Sequence, residues 1–353
     1  MPTVPDEPTV PDRPRPDVVR PPSMADVAAV AGVSHQTVSR VLNNHPSVRA
    51  ETRMRVQDAV KRLGYRPNTA ARALVTRRSR TIGVIGVASA VFGQTRALIA
   101  MEQRARPEGW FLSIALVLDW TKESVLRALE HVLDQGVEAV VFMGSGDHLV
   151  DAVREVKPGV PVVMTGGQVA CDDVLWTSVD HVRGERLALE HLAGLGHRRI
   201  LHVHGPERWS MFQDRHRAYQ EFMREAGWEP WSIESGAYLD DGFRLGNQLL
   251  GERELPTAVV AANDQTAFGL ARALGKAGVR VPDDVSLVGY DDAYGSDYAM
   301  PALTTVRQEF AEVGANAVDL VLAATSGHRP APVVVEPRLI VRESTAAPRE
   351  PRD

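Results

Sequence analysis

From Thr81 to about residue 345 the chain alternates short β-branched apolar runs with longer stretches that are apolar at every third or fourth position. The runs TIGVIGV, FLSIALV, EAVVFMG, VPVVMTG, RILHVHG, AVVAAN and VSLVGYDD have the length and content of buried strands. Between most of them lie segments such as SVLRALEHVLDQG and GERLALEHLAGLG. These place apolar residues at i, i+3 and i+4 and end in Gly, which tolerates the left-handed conformation that closes a helix. Such alternation predicts an α/β domain, a parallel sheet with helices on both faces, because parallel strands need a crossover long enough to be a helix. About 265 residues is long for one such sheet, so two similar lobes are expected. The change of lobe is placed near Trp176–His181, with the chain crossing back near residues 303–330. No short-period repeat is visible.

Residues 23–66 read as an all-α unit of three short helices. The first runs from about Met24 to Ala31 behind Ser23 as N-cap, and Gly32 breaks it. Ser34 can cap the second, which reaches about Asn43. The third covers about Ala50 to Leu63, with Gly64 just past its end. At about 100° per residue, Val38, Val41 and Leu42 share one face of the second helix, while Gln36, Arg40 and Asn43 share the other and His35 and Ser39 flank it. The apolar face can pack on Val27, Ala28 and Ala31 across the turn at Gly32. The polar face carries side chains suited to base edges, as in a helix-turn-helix. Periodicity alone does not separate that reading from a generic amphipathic helix pair.

Charge sharpens the picture. The net formal charge of −5 hides an asymmetry, since residues 23–80 carry eleven Lys and Arg against three Asp and Glu, whereas residues 81–353 carry 26 against 38. A compact basic segment on an acidic body points to a polyanion-binding module joined to a domain with another task. Residues 1–22, rich in Pro and with little to bury, and residues 346–353 are expected to be disordered tails. No apolar run approaches the roughly 18–20 residues needed to span a bilayer, and the start lacks a basic-then-apolar export signal, so a cytoplasmic location is expected. One cysteine, Cys171, supports neither a disulfide framework nor a zinc cluster.

The stretch MADVAAVAGVSHQTVSRVLNNHPSVRAETRMRVQDAVKRLGYRPNTAARAL resembles, almost without gap, the N-terminal signature of the lactose-repressor (LacI-type) family of bacterial transcription factors. Two blocks carry the resemblance, D-V-A-x-x-A-G-V-S-x-x-T-V-S-R-V-L-N and G-Y-x-P-N-x-x-A-R-x-L. It implies that His35, Gln36 and Arg40 read bases, and that Ser34, Thr37, Ser39, Asn43 and Asn68 contact the DNA backbone. Where lactose-type members have Tyr-Gln this chain has His35-Gln36, so a related but different operator is implied. Residues 67–80 become a hinge helix and linker, in which Ala71 and Leu74 would enter the minor groove of a palindromic operator. Arg77, Arg78 and Arg80 are either phosphate contacts or solvated linker charges.

The segments EHLAGLGHRRI, AANDQTAFGLARALGKAGVRVPDDVSLVGYDD and PALTTVRQEFAEVG are similar to the family's two-lobed effector domain, which folds like periplasmic sugar-binding proteins. By motif position the ligand-binding candidates are Val91, Phe92, Arg215, Tyr238, Asn263, Asp291, Gln308 and Phe310. Asn263 and Asp291 stand at carboxyl ends of strands, where open α/β sheets bind ligands, although such residues also cap following helices. Two departures concern ligand identity: Gly166-Gly167 stands where lactose-type members place a carboxylate, and Gln94 where close relatives have Pro. The implied ligand is a mono- or disaccharide, nearest to galactosides through TTVRQEF; a nucleobase, or action through a corepressor, is the alternative. No leucine heptad follows the last strand, so a homodimer is implied.

Against an enzyme, GVIG lacks the spacing of a dinucleotide-binding turn, no phosphate-binding loop motif is present, and no nucleophile–base pair stands out. His202 and His204 share one face of a strand but read as core, so neither metal nor cofactor is expected. A sugar-binding receptor without DNA function is disfavoured by the basic three-helix module.

Overall fold

A computed structural model describes residues 20, 22–42, 45–66, 78–87 and 92–349, the side chain of Phe92 excepted. The chain forms two compact units, Met1–Arg78 and Ser79–Asp353.

The first unit holds α1 (Met24–Ala31), α2 (His35–Leu42) and α3 (Ala50–Leu63). Ser23 and Asp26 form a reciprocal capping box at the start of α1, and Gly32 closes it in the left-handed conformation at φ 63°. Val27, Ala28, Ala31, Val38, Val41, Val56, Ala59 and Tyr65 make its buried core. The expected helices, cap and core face of this unit are thus observed.

The second unit contains two six-stranded sheets. The first lobe holds β1 (Thr81–Val87), α4 (Phe92–Ala105), β2 (Phe111–Val117), α5 (Lys122–Asp134), β3 (Ala139–Phe142), α6 (Asp147–Val156), β4 (Val162–Thr165) and β5 (Leu175–Val179). The second holds α7 (His181–Gly194), β6 (Ile200–His204), α8 (Ser210–Ala226), β7 (Trp231–Glu234), α9 (Leu239–Leu249), β8 (Ala258–Val260), α10 (Asp264–Lys276), β9 (Ser286–Asp291) and β10 (Thr304–Arg307). Then α11 (Phe310–Thr325) and β11 (Val333–Val335) return to the first lobe, and β12 (Arg338–Ile340) ends in the second. The sheet orders are β11-β5-β4-β3-β1-β2 and β12-β10-β9-β8-β6-β7. All pairings are parallel except β10 with β12. Each sheet therefore reverses its winding beside its first strand, between β1 and β3 and between β6 and β8, and opens a crevice at the carboxyl edge there. Apolar clusters cover both faces of each sheet. No helix among the described residues is long and apolar enough to cross a membrane.

The seven expected strands form. Five others, β5, β7, β10, β11 and β12, were not evident from the pattern. LWTSV and TTVR interrupt their apolar residues with Thr and Ser, and the two last strands have three residues each, too short for a periodic signal. The chain changes lobe at Asp180, returns at residues 308–309 and crosses a third time at residues 336–337. The expected tail at 346–353 is corrected for its first four residues. The Ala346 carbonyl accepts hydrogen bonds from His197 Nε2 at 2.8 Å and Ser286 Oγ at 3.0 Å, and Arg349 pairs with Asp283 and Asp284. These polar partners on the second lobe satisfy backbone that composition alone marks as unanchored.

Helices α9 and α10 touch through glycine. A Cβ at Gly269 would lie 2.0 Å from the Leu239 carbonyl oxygen and 2.5 Å from the Phe243 nitrogen. Helix propensity favours Ala over Gly by about 1 kcal/mol, but backbone on backbone has no rotamer through which to yield. Gly269→Ala is expected to lower the stability of this unit by about 1–3 kcal/mol, read as an earlier urea midpoint. An unchanged or later midpoint would show that the helices separate freely at this contact.

Candidate nucleic-acid interface and ligand cleft

On α2, burial divides the side chains as DNA reading requires. Val38 is fully buried and Val41 is 4% exposed, while His35, Gln36 and Arg40 are exposed and Thr37 and Ser39 lie half-buried beside them. The Ser34 hydroxyl accepts from the Thr37 amide at 3.2 Å and bonds its hydroxyl at 2.9 Å, so Ser34 caps the helix. That bond holds Ser34 and Thr37 at the amino end of α2, where free backbone N–H groups favour a phosphate. Asp26 is drawn into its capping box, which holds its carboxyl below the usual range, first through the Ser23 side chain. Asn43, Asn68, Ala71, Leu74, Val91 and the side chain of Phe92 lie outside the described residues.

In the second unit, four of the remaining candidates meet at the carboxyl edge of the second sheet. Arg215 on α8 is 3% exposed, its guanidinium carbon 3.9 Å from the centre of the Tyr290 ring and 4.8 Å from that of Phe212. Its Nη1 donates to the Ala262 carbonyl at 2.8 Å, while its Nε has no hydrogen-bond partner, and neither has the Tyr290 hydroxyl. Gln308 donates to Asp291 Oδ1 at 2.6 Å. Burial pushes the Asp291 carboxyl up to about 7, with nearby Asp264 adding to the rise and Arg215 opposing it. Asp291 also sits at φ 108°, a left-handed conformation that strains a non-glycine residue by about 1–3 kcal/mol. Next to it, Asp292 is fixed by Arg307 and Arg342, each at 2.7 Å.

Asn263 adjoins this group but is largely spent on structure. Its Oδ1 accepts from the Thr266 amide at 2.9 Å and hydroxyl at 3.0 Å, and its Nδ2 donates to the Ala237 carbonyl at 2.9 Å. Capping of α10 is thus what its side chain does, and one Nδ2 hydrogen remains for a ligand. The tie to Ala237 sets the position of Tyr238, which is 51% exposed at the start of α9. Phe310 is not brought to the cluster; it begins α11 in the first lobe and packs against Gly93, where a Cβ would come within 2.4 Å of its ring.

Other residues that sequence reasoning missed also shape this region. Trp209, before α8, reaches the first lobe and meets Trp120 and His148 edge to face, at 5.3 and 5.5 Å between ring centres. Gly144 admits it, since a Cβ there would lie 2.9 Å from the indole. A Cβ at Gly167 would lie 2.3 Å from Ser145 Oγ and 2.7 Å from Ser210 Cβ, so the Gly166-Gly167 departure leaves room for the second lobe to approach. A cavity of about 90 Å³ remains beside this contact, lined in part by Gly146, Val150, Gln168 and Ser210. Asp264 was missed too: fully buried, it accepts from the Ala293 amide at 2.6 Å and the Ser296 and Thr305 hydroxyls at 2.7 and 2.6 Å. It braces the turn carrying Asp291 and Asp292. A tryptophan in a polar loop was a signal for the first of these; Asp264 offered none, because an acid after an N-cap is ordinary.

Residues 23–68 match the model of the bacterial regulatory proteins of the lacI family, and residues 189–345 that of the periplasmic binding protein-like domain. The chain is 32% identical to the lactose operon repressor of Escherichia coli K12 over 94% of its own length and 92% of that protein's. A crystal structure of the lac repressor dimer bound to operator and the anti-inducer ONPF matches with TM-score 0.85, covering 93% of this chain and all of that one. The transcriptional repressor PurR of Haemophilus influenzae (strain PittEE) is 31% identical over 91% of this chain and 98% of its own. A transcriptional regulator CelR–cellobiose complex matches with TM-score 0.69 at 29% identity, over 92% and 99% of the two chains. With its helix-turn-helix unit and two-lobed α/β effector domain, the chain belongs to the lacI family of bacterial regulatory proteins, DNA-binding transcriptional repressors and not enzymes.

Proposed function

We propose that the chain is a cytoplasmic repressor whose operator affinity is set by a small sugar, galactoside-like in its hydroxyl pattern, bound between the lobes. The observation that carries this reading is the buried Arg215 guanidinium, with an unpaired Nε, beside the Asp291–Gln308 pair. Buried polar atoms without partners are uncommon, and a donor beside a carboxylate suits a ligand that both accepts and donates, as vicinal hydroxyls do. Arg215, Asn263, Asp291 and Gln308 supply the polar contacts in this reading, Tyr238 and Phe92 apolar surface for a sugar ring, and Val91 and Phe310 the first-lobe wall.

The operator is a palindrome read by a homodimer. His35, Gln36 and Arg40 meet base edges, with Ser34, Thr37, Ser39, Asn43 and Asn68 on phosphates and Ala71 and Leu74 in the minor groove. Two apolar patches support the dimer. Phe111, Ile114 and Leu116 are 55, 48 and 60% exposed on edge strand β2, and Tyr294, Tyr298 and Met300 are 82, 88 and 98% exposed after β9. An apolar sheet edge left open is an aggregation hazard unless another surface covers it. Sugar favours one arrangement of the lobes, and the change passes through the dimer to the hinge helices, whose loss of register lowers operator affinity; this requires unequal sugar affinity for the two arrangements. Gel-shift titration with mono- and disaccharides tests the reading, chosen by a thermal-shift screen in which a bound sugar raises the melting temperature. Operator affinity unmoved by every sugar would end it. The similarity to PurR favours a second reading, a nucleobase ligand, so purine bases belong in the same screen.

The raised Asp291 pKa gives a pH test. The folded carboxyl holds its proton up to about 7, whereas an ordinary aspartate releases it near 3.8. Between those pH values the folded state binds more protons than the unfolded one, so stability from this group is lost as pH rises toward 7 and is level above it. Asp291→Asn is therefore expected to raise the melting temperature more at pH 8 than at pH 5, relative to the parent protein. A gain independent of pH would mean that the carboxyl titrates normally.

A further inference from the structure

We propose that His204, Glu207 and His216 form a binding site for a divalent transition-metal ion of the zinc class. The three come from the end of β6, the loop after it and α8, and one ligand-type atom from each lies within 4.8 Å of the other two. The strand histidines that looked alike in the sequence part company here. His202 is 2% exposed and turned toward Glu185 at 3.5 Å, whereas His204 stacks on His216 at 4.1 Å between ring centres. The true partners of His204 come from a loop and a helix, which no strand period could reveal.

The hydrogen bonds already fix one ligand. His204 Nδ1 donates to the Gly205 carbonyl at 3.1 Å, and since a carbonyl only accepts, the Nε2 keeps its lone pair. A metal-binding imidazole is commonly oriented this way, by its other nitrogen on a backbone carbonyl. His216 Nδ1 lies 3.2 Å from Glu207 Oε1, and its Nε2 is 3.0 Å from Gln220 Nε2 and 3.2 Å from Ser232 Oγ. Behind the trio, His202 stacks on Tyr219 and lies 5.9 and 5.7 Å from the other two rings, a wall that limits retreat.

Two imidazoles and one carboxylate suit zinc, cobalt or nickel; magnesium and calcium prefer oxygen throughout. Three protein ligands leave a fourth position for water. Bonds of about 2.0–2.2 Å bring tetrahedral ligand atoms to about 3.3 Å from one another, so the trio must contract. The planes of His204 and His216, now 14° apart, have to turn, and the half-buried His216 and exposed Glu207 are the ones free to follow. A bound ion would tie this loop to the second lobe two residues before Trp209, which packs on the first.

The test is titration of the full-length protein with Co²⁺, followed by visible ligand-field absorption, and with Zn²⁺ by calorimetry. One equivalent per chain is expected. Glu207→Gln, on an exposed loop where folding is not at stake, should weaken binding at least about tenfold. His216→Gln should weaken it further, while His328→Gln, remote in sequence and exposed, should leave it unchanged. No saturable signal with metal on the order of 0.1 mM, or equal affinity in the Glu207 and His216 variants, overturns the proposal.

Discussion

Replacing Arg40 by alanine is expected to weaken operator binding by about 1–3 kcal/mol, roughly 5- to 150-fold, while random-sequence DNA loses little. The expectation follows from where α2 spends its side chains. Val38 and Val41 hold the helix in the core, and Arg40 is exposed on the side away from them, so its removal leaves the fold intact. A bidentate contact to one base carries sequence discrimination, whereas a phosphate contact lowers specific and nonspecific affinity alike. Binding must therefore be measured on both DNAs over a range of salt. Equal losses, with a salt slope reduced by about one, would make Arg40 a backbone contact. His35 is the companion case, and exchanging it should alter which operator is preferred more than how tightly DNA is held.

Arg215→Ala should uncouple ligand from operator. Its guanidinium packs on the rings of Tyr290 and Phe212, and its charge opposes the rise that burial gives the Asp291 carboxyl. Removing the cation leaves Asp291 and Glu185 without the charge that lowers their pKa values, and Glu185 already stands at about 8. Truncating one member of a buried charged group typically costs about 2–5 kcal/mol, so effector affinity should fall by about 100-fold or more. Operator binding without effector should stay close to that of the parent, giving a repressor that no longer responds. Calorimetry with the effector and gel shift without it separate the two effects. Arg215→Lys checks the cause, because it restores charge but not the flat guanidinium over the Tyr290 ring. Full effector affinity in the alanine variant would remove Arg215 from the site.

What the sequence revealed depended on whether a feature was local. The α1–α2 turn was legible because its parts, the Ser23 cap, Gly32 and the Val38 and Val41 face, lie within twenty residues and each has a local cause. Strands β1, β3 and β4 were legible for a similar reason, as central parallel strands are apolar throughout. The edge strands β7, β11 and β12 take their conformation from neighbours far along the chain, so the order of residues there carries little trace of it. Asp291 and Gln308 were named by motif position, but the 2.6 Å bond between them follows from the fold and not from the local sequence. Asn263 is a like case: the residue was found, but its capping bonds could be seen only once Ala237 and Thr266 were placed around it. Trp209 and His216 act across element boundaries, and neither helical nor strand periodicity encodes that.

The path of the chain also bears on its birth. One face of the first sheet is covered by Ala317, Val318, Leu320 and Val321 of α11, packed on Met101, Ala139 and Val163. Gly314 of the same helix approaches so closely that a Cβ would lie 2.2 Å from the Ala97 carbonyl oxygen. During translation, β1 to β5 leave the ribosome well before this cover exists, and nearly the whole second lobe is made in between. At roughly 5–20 residues per second the delay is on the order of ten seconds. When α11 emerges, the second lobe already has all its helices and five of its six strands, so the first sheet keeps one face open while most of the second lobe is made. Demand for chaperones on the nascent chain is accordingly concentrated on the apolar face of β1, β3 and β4 that waits for α11.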